Sequence, residues 1–169
     1  VQGIAVNSLG HSNPNLIKAL NNQAKKLWHL SNAFQIPQAE KLAKLLTQKT
    51  SADKVIFQTS GSEATETAIK VARKYFFSKN KRHKNRILCI KNSFHGRTIA
   101  AIYESGSKKM TNGFGPPVPG FDHIEFRNFK PRVPNIRKKI TKSTAAIMVE
   151  TVMGEGGIKP IPDKCLKYL

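Results

Sequence analysis

Three short segments of the chain combine residue types that can do chemistry, and each directly follows an apolar run typical of a buried strand. They hold hydroxyl groups beside a glycine, an aromatic ring beside an arginine, and a pair of carboxylates. Ligands of parallel α/β sheets bind at the carboxyl ends of the strands, so we expect chemistry here. The segments are Thr59–Glu66 (TSGSEATE), Asn92–Thr98 (NSFHGRT) and Glu150–Gly157 (ETVMGEGG).

The first segment predicts either a phosphate site or an ordinary helix start. A helix N-terminus presents unpaired N–H groups and a partial positive charge. Gly61 lets a phosphate approach the backbone, and Ser60 and Ser62 add hydroxyl donors. The simpler alternative is an N-cap whose first turn is favoured by Glu63 and Glu66. Neither GKS, GKT nor GxGxxG occurs here, so Walker and dinucleotide loops are excluded.

The second segment places a ring, an imidazole, a glycine and a guanidinium within four residues. Phe94 can stack on a flat ligand, and Arg97 can bind a carboxylate through two parallel hydrogen bonds. The alternatives are Phe94 as a core residue, His95 as a surface cap and Arg97 as a solvated charge.

The third segment holds Glu150 and Glu155 around a Met-Gly step, in a chain with only 10 acidic residues. Because acids are few, glutamates that follow a buried strand are more informative than they would be on a charged surface. A hydrolase with paired carboxylates has weak support, since nothing in the spacing fixes the distance between the carboxyl groups.

Helices and strands must position these segments. Apolar residues recur at helical spacing from Asn15 to Trp28, which predicts a helix with one buried face, and a second helix runs from Pro37 to near Thr50. In the helix that follows Gly61, Glu66 stands four residues before Lys70 on the predicted exposed side. Its predicted packed face consists of Ala64, Ala68, Val71, Ala72 and Tyr75.

Beyond this helix, strands alternate with helices. The fold class is therefore α/β, with a parallel or mostly parallel sheet covered by helices on both faces. The loop Gly113–Gly120 is rich in proline, which cannot supply ladder hydrogen bonds. Predicted strands are Val55–Phe57, Ile87–Ile90, Ile124–Phe126 and Ala145–Val149, and predicted helices lie at Thr98–Tyr103 and Asn135–Ile140.

Composition excludes several classes of protein. The hydrophobic fraction of 39% fits a globular domain, and neither a membrane-spanning run nor a signal-peptide layout is present. We therefore expect a cytoplasmic protein without a membrane partner. Cys89 and Cys165 lie outside any CxxC or Cys/His spacing, which predicts buried thiols rather than a disulfide or a metal site.

The charge raises a nucleic-acid hypothesis. The 29 Lys and Arg residues against 10 Asp and Glu residues give a formal net charge of +19. The densest stretches are Lys79–Arg86 and Arg137–Lys142, and neither is interleaved with the aromatic residues that a stacking surface needs. We interpret both as solvated turns or helix faces, and a basic nucleic-acid-binding module on a decayed scaffold remains the competing hypothesis.

Taken together, these blocks resemble the class III pyridoxal-phosphate aminotransferases over nearly the whole chain. The matching blocks occur in the family's order. LWHLSN within them indicates the acetylornithine group of this family rather than ornithine or 4-aminobutyrate enzymes. The blocks are GIAVNSLGHSNPNLIKAL, LWHLSNAF, SGSEATETAIKVARKY, NSFHGRT, GFGPP and VETVMGEGGI.

The resemblance implies a role for each matching residue. Gly61 and Ser62 match the pair that holds the phosphate of pyridoxal 5'-phosphate, Phe94 matches the ring that stacks on the pyridine, and Glu150 matches a glutamate behind it. The substrate-binding positions that match are Arg97 for a carboxylate, Glu155 beside the pocket, and Ser31 and Asn32 at its mouth. Family members transfer an amino group between N-acetylornithine and 2-oxoglutarate, in arginine biosynthesis, and form homodimers.

Departures from the family pattern limit what we expect of this chain. Thr151 and Met153 replace a proline and a glutamine of the family motif. The sequence stops inside an unfinished helix, before the family's pyridinium aspartate and Schiff-base lysine, so we nominate no catalytic residue and expect no turnover without a complementing fragment. The predicted organisation is a helical segment at residues 1–50 and an incomplete fold-type-I large domain at residues 51–169.

Overall fold

The computed structural model describes residues 2–125 and 133–169, and the chain divides into two compact units, Val1–Ile56 and Phe57–Leu169. The domain boundary predicted between residues 50 and 51 stays a prediction. The helices are α1 (Gln2–Ala5), α2 (Pro14–Ala24), α3 (Pro37–Lys49), α4 (Gly61–Ser78), α5 (Ile99–Glu104), α6 (Lys108–Thr111), α7 (Val133–Lys139) and α8 (Asp163–Leu166). The strands are β1 (Arg86–Ile90), β2 (Phe121–Ile124), β3 (Thr144–Met148), β4 (Val152–Met153) and β5 (Lys159–Pro160).

The first unit contains α1, α2 and α3. The Asn13 side chain caps α2 by accepting hydrogen bonds from the N–H groups of Asn15 and Leu16, and prolines occupy the first turns of α2 and α3, where no N–H partner is needed. Positive φ angles inside α1 make it a single irregular turn. These local signals explain why both predicted helices form.

Burial in this unit differs from the prediction. The predicted helix Asn15–Trp28 ends at Ala24, and its predicted buried face is wrong, because neither α2 nor α3 contains a buried residue. Leu20 is 69% exposed and Trp28 is 86% exposed. An amphipathic pattern predicts a helix, but burial also requires a covering surface, which the described residues do not provide for these side chains.

The second unit is built around a parallel three-stranded sheet in the order β2-β1-β3. In the central strand, Ile87, Leu88 and Cys89 are completely buried and Ile90 is 1% exposed. A strand covered on both faces needs a continuous apolar run, which explains the sequence ILCI. The α/β fold class with a parallel sheet is confirmed, and the prediction of a buried thiol holds for both cysteines.

Helices cover both faces of this sheet. Ile87 and Cys89 point to one side, where they pack with Ile69 of α4 and with Ala100 of α5. Leu88 packs on the other side with Ile136 of α7. Ile90 also lies on that other side, because side chains alternate along a strand, and it packs with Cys165 of α8. The sheet is therefore held by a helix layer on each face.

Three strand predictions need adjustment. Val55–Phe57 is not a strand, because no described strand lies beside it to complete a ladder. The strand predicted at Ile124–Phe126 is β2, which ends at Ile124, and Phe126 lies outside the described residues. The predicted strand Ala145–Val149 is β3, shifted by one residue, and the helix predicted at Asn135–Ile140 is α7.

The packed face predicted for α4 is also wrong. Ile69 is the buried residue of this helix, whereas Val71 is 57% exposed and Tyr75 is 55% exposed. The stripe of alanines suggested the opposite face, but the large Ile69 side chain fills the space above the sheet. Glu66 accepts a hydrogen bond from Thr98 Oγ1 at 2.6 Å, and the ion pairs of the described residues do not join it to Lys70.

Candidate functional site at the carboxyl ends of β1 and β3

Two of the three predicted segments meet because β1 and β3 are parallel neighbours. The Phe94 N–H, in the loop after β1, donates a hydrogen bond to Glu150 Oε2 at 2.9 Å. The other oxygen of Glu150 accepts from the Gly154 N–H at 3.4 Å. One carboxylate therefore connects the loop after β1 to the loop after β3.

The N-terminus of α4 shows the ordinary helix start of the two interpretations, and the phosphate site stays a prediction. Ser60 Oγ accepts from the Glu63 N–H at 3.3 Å and donates to the Glu63 carboxylate at 3.0 Å, so Ser60 is an ordinary N-cap. The N–H groups of Gly61 and Ser62, in the first turn of this 18-residue helix, have no intrahelical acceptor. They remain suited to an anion, whereas the Ser60 hydroxyl is already used.

The first and second segments are joined by a close backbone approach. The Arg97 N–H donates to Ser62 Oγ at 3.4 Å. Gly96 has a φ of +126°, and a Cβ on it would lie 2.5 Å from Ser62 Oγ and 3.2 Å from Ser62 Cα. Only glycine satisfies both the backbone angle and the space, so this residue fixes the second segment against the start of α4.

Arg97 and Glu155 form the exposed part of the site, beside the partly buried Phe94 ring. The Arg97 guanidinium lies 5.3 Å from the centre of the Phe94 ring and pairs with Glu155 Oε1 at 3.1 Å. The Arg97 and Glu155 side chains are 68% and 54% exposed, so the pair is weak and easily exchanged. Arg97 thus contacts one carboxylate oxygen of Glu155, and its predicted binding of a ligand carboxylate through two parallel hydrogen bonds stays a prediction.

Sequence reasoning missed the environment of His95 and Ser93. The interpretation of His95 as a surface cap is wrong, because its ring is partly buried and Nε2 has no hydrogen-bond partner among the described residues. Burial lowers the pKa of His95, and the nearby Glu150 partly opposes this shift. The Ser93 hydroxyl is also buried without a partner among those residues. The neighbouring apolar strand, which ends at Ile90, was the available signal for burial.

Ser31 and Asn32 lie in the first unit, and both are exposed. Ser31 Oγ accepts a hydrogen bond from the Ala33 N–H at 3.2 Å. Their predicted position at a pocket mouth stays a prediction. In the part of the chain that the structure describes, no cluster of three or more His, Cys, Asp or Glu residues could hold a metal, and no helix is long and apolar enough to cross a membrane.

A comparison with protein-family models matches residues 1–169 to aminotransferase class III. The chain belongs to the class III aminotransferase family. Enzymes of this family depend on pyridoxal phosphate.

Curated relatives that are similar to this aminotransferase chain include enzymes named for acylated ornithines. Acetylornithine aminotransferase of Mesorhizobium japonicum is 50% identical over 167 residues, which are 99% of this chain and 41% of the relative. Succinylornithine transaminase of Photorhabdus laumondii is 41% identical, over 99% of this chain and 40% of its own length. The chain therefore spans about two fifths of the length of these relatives.

The chain is also similar to the solved structure of another aminotransferase. Ornithine aminotransferase of Toxoplasma gondii superposes with a TM-score of 0.88 and is 30% identical, with 98% of this chain and 39% of that chain covered. Structural similarity to fold-type-I transaminases therefore confirms the predicted fold type.

The residues of this aminotransferase chain fit part of a pyridoxal-phosphate site. A Cβ built on Gly61 meets no atom within 4 Å, so the space beside the α4 N-terminus is open. The Gly61 and Ser62 N–H groups suit a phosphate, and the partly buried Phe94 ring lies in the loop that contacts Ser62 through Arg97. The structure thus brings together Gly61, Ser62, Phe94, Arg97, Glu150 and Glu155 in the second unit.

Proposed function

We propose that this chain carries part of the active site of an acetylornithine aminotransferase, which transfers an amino group between N-acetylornithine and 2-oxoglutarate in the cytoplasm. One observation supports it above all: hydrogen bonds join the α4 N-terminus to the loop after β1, and that loop to the loop after β3. The relatives at 41% to 50% identity are named for acetylornithine or succinylornithine, which favours an acylated ornithine over ornithine or 4-aminobutyrate.

Gly61, Ser62, Phe94 and Glu150 are the proposed cofactor-binding residues. The N–H groups at the start of α4 bind the phosphate, where the helix dipole favours negative charge. Phe94 lies against the pyridine ring. Glu150 holds the Phe94 backbone in place through its 2.9 Å hydrogen bond, so it acts by positioning the loop.

Arg97 and Glu155 are the proposed substrate-binding pair. Pyridoxal phosphate, when bound, supplies the aldehyde that accepts the amino group and the electron sink that stabilises charge at the substrate Cα. Arg97 exchanges Glu155 for a substrate carboxylate, since their exposed ion pair holds them only weakly. Glu155 thereby adjusts the charge of the site to amino donors and acceptors, while Ser31 and Asn32 form the proposed pocket mouth.

We also propose that the Schiff-base lysine and the pyridinium aspartate come from a segment outside this sequence. In support, the chain spans about 41% of a relative's length. On this proposal the residues of this chain bind the cofactor through anchors alone, and turnover requires the segment that supplies the lysine and the aspartate.

A titration with pyridoxal phosphate tests the phosphate site. Gly61→Asp places a carboxylate at a helix N-terminus, where it favours the helix but repels phosphate. Gly61→Asn is a matched control of the same shape without the charge, and the open space at Gly61 admits both side chains. We expect saturable binding, followed by visible absorbance, that Gly61→Asp weakens at least tenfold more than Gly61→Asn.

Borohydride reduction and peptide mapping complete the experiment. Saturable binding with no single trapped lysine supports a cofactor site without its own Schiff-base residue. Equal effects of the two Gly61 variants, or label scattered over surface lysines, would show that the anchors do not form a site. Stoichiometric amino transfer by the chain alone would refute the proposed need for another segment.

A further inference from the structure

A second surface of the chain, formed by the later turns of α4 and the residues that follow it, carries concentrated positive charge. Residues 67–85 contain no Asp or Glu. The ion pairs found among the described residues involve Arg86, Lys91 and Arg97, so none of the cations of residues 67–85 is neutralised by such a pair there. We call these cations the α4 basic surface: Lys70, Arg73, Lys74, Lys79, Lys81, Arg82 and Lys84.

The chain reverses direction at the end of α4. Asn80 has a φ of +56°, the Lys81 N–H donates to the Phe76 carbonyl at 2.8 Å, and the Asn80 N–H donates to the Phe77 carbonyl at 3.0 Å. This is the Schellman pattern of helix termination. The reversal carries Arg82 and Lys84 back alongside the last turn of the helix.

Aromatic rings consequently lie under the cations, although the sequence separates them. Lys74 and Arg82 lie 5.2 Å and 4.7 Å from the centre of the Phe77 ring. Lys84 lies 5.1 Å from the Phe76 ring. The absence of interleaved aromatics in Lys79–Arg86 was the reason to interpret this stretch as a solvated turn, and the fold removes that reason.

Part of the α4 basic surface, together with the Phe77 ring, borders an open groove. It is lined by the apolar side chains of Val71 and Phe77 and by Lys70, Lys74 and Arg82. Phe77 is 48% exposed, so part of its ring is available to a ligand. Arg73, in contrast, is engaged with the Asn85 and Pro119 carbonyls and serves as an anchor.

We propose that the α4 basic surface binds single-stranded nucleic acid, as a function separate from amino transfer. A positively charged groove that follows the phosphates, combined with exposed rings that contact the bases, is the usual design of such surfaces. Cations held over rings are already ordered, so binding loses less side-chain entropy. Charge complementarity therefore selects a polyanion, and the exposed rings of Tyr75 and Phe77 favour one that carries bases.

Fluorescence anisotropy with labelled dT20 and the full chain tests this proposal. The test variant combines Lys70→Gln, Lys74→Gln and Arg82→Gln. Its control also removes three positive charges, from exposed lysines of the first unit: Lys25→Gln, Lys41→Gln and Lys44→Gln. We expect the test variant to bind at least tenfold more weakly and the control less than threefold. The slope of log affinity against log salt should fall by about 2 in the test variant only, at about 0.7 per phosphate contact.

A second pair of variants tests the contribution of the bases. Phe77→Leu and Tyr75→Leu keep the charge, and each should weaken dT20 binding about fivefold or more if the ring stacks on a base. Circular dichroism checks that α4 is intact. Equal weakening in both triple variants would mean that diffuse charge alone attracts the probe and would overturn the proposal. So would equally effective competition by inorganic polyphosphate or by poly-L-glutamate, which lack bases.

Discussion

Both units of this chain contain amphipathic helices, but their large apolar side chains are buried only in the second unit. In the second unit, α4 buries Ile69 against the sheet, and the central strand residues Ile87 and Leu88 are completely buried. In the first unit, α2 and α3 have an equally clear apolar stripe but no buried residue. The difference teaches that the pattern specifies the helix, whereas the neighbouring elements decide whether its apolar face is covered.

This difference concerns energy as well as geometry. Each fully buried leucine or isoleucine contributes roughly 2 kcal/mol by removing apolar area from water, and such burial occurs in the second unit. Exposed apolar side chains such as Leu20 and Trp28 contribute little. Stability should therefore reside in residues 57–169, and matched substitutions in the two units measure the contrast.

The largest expected contrast is between two leucine truncations. Leu88→Ala, at 0% exposure in β1, should lower the free energy of unfolding by about 3 to 4 kcal/mol, because it removes buried methyl groups and leaves a cavity. Leu20→Ala, at 69% exposure in α2, should change it by less than about 0.5 kcal/mol. Urea denaturation followed by circular dichroism measures both values. A similar loss for both variants would show that the α2 face is covered in solution.

Local signals in the sequence explain why so much of the second unit could be predicted. The runs Ile87–Ile90 and Ala145–Val149 are apolar at every position. Such a continuous run is typical of a strand that is covered on both faces. Val55–Phe57 looks the same, yet it forms no strand, since a strand also needs a neighbour that the run itself does not encode. The face of α4 was mispredicted for a related reason: small alanines are compatible with either face.

A glycine contrast should give the next largest effect. Gly96→Ala forces a side chain into a φ of +126° and against Ser62, whereas Gly10→Ala in the first unit meets a φ of +77° with no atom within 4 Å. We expect a cost of about 2 to 3 kcal/mol for Gly96→Ala and about 1 kcal/mol for Gly10→Ala. Denaturant midpoints provide the measurement. Equal costs would mean that the loop does not rest on Ser62.

For the candidate site, the sequence indicated types of chemistry but not the connections between the residues. The types and order of Gly61, Phe94 and Arg97 indicated phosphate, ring and carboxylate chemistry. The hydrogen bond from Phe94 to Glu150 joins residues 56 positions apart, and it exists because β1 and β3 pair, which no local pattern specifies. The burial of His95 depends on the same long-range packing.

A smaller, pH-dependent contrast involves two glutamates. Burial raises the pKa of Glu104, which is completely buried, to about 7 from an unfolded value near 4.5. The unfolded chain therefore ionises first as pH rises, and stability should fall between pH 4.5 and 7 by about 2 kcal/mol. Glu104→Gln should abolish this decline, whereas Glu40→Gln, at an exposed position of α3, should preserve it. Unfolding free energies measured at pH 5 and pH 8 test this prediction. An unchanged decline in Glu104→Gln would show that Glu104 is not the group responsible.

The smallest contrast concerns two aspartates and runs in the opposite direction of pH. Two hydrogen bonds of 2.7 Å join the Arg86 guanidinium to Asp122 across β1 and β2, and they lower the pKa of Asp122 below 3.8. A lowered pKa means that the pair stabilises the fold above pH 4 and that this contribution is lost as pH falls through the folded value. Because both side chains are partly exposed, we expect Asp122→Asn to cost only about 1 kcal/mol at pH 7 and nothing at pH 2. Asp53→Asn in the first unit removes an exposed carboxylate that forms no ion pair within the described residues, and it should be neutral at both values. If Asp53→Asn cost as much as Asp122→Asn, carboxylates of the first unit would also be paired in solution, and the contrast between the two units would fail for charged groups as well as for apolar ones.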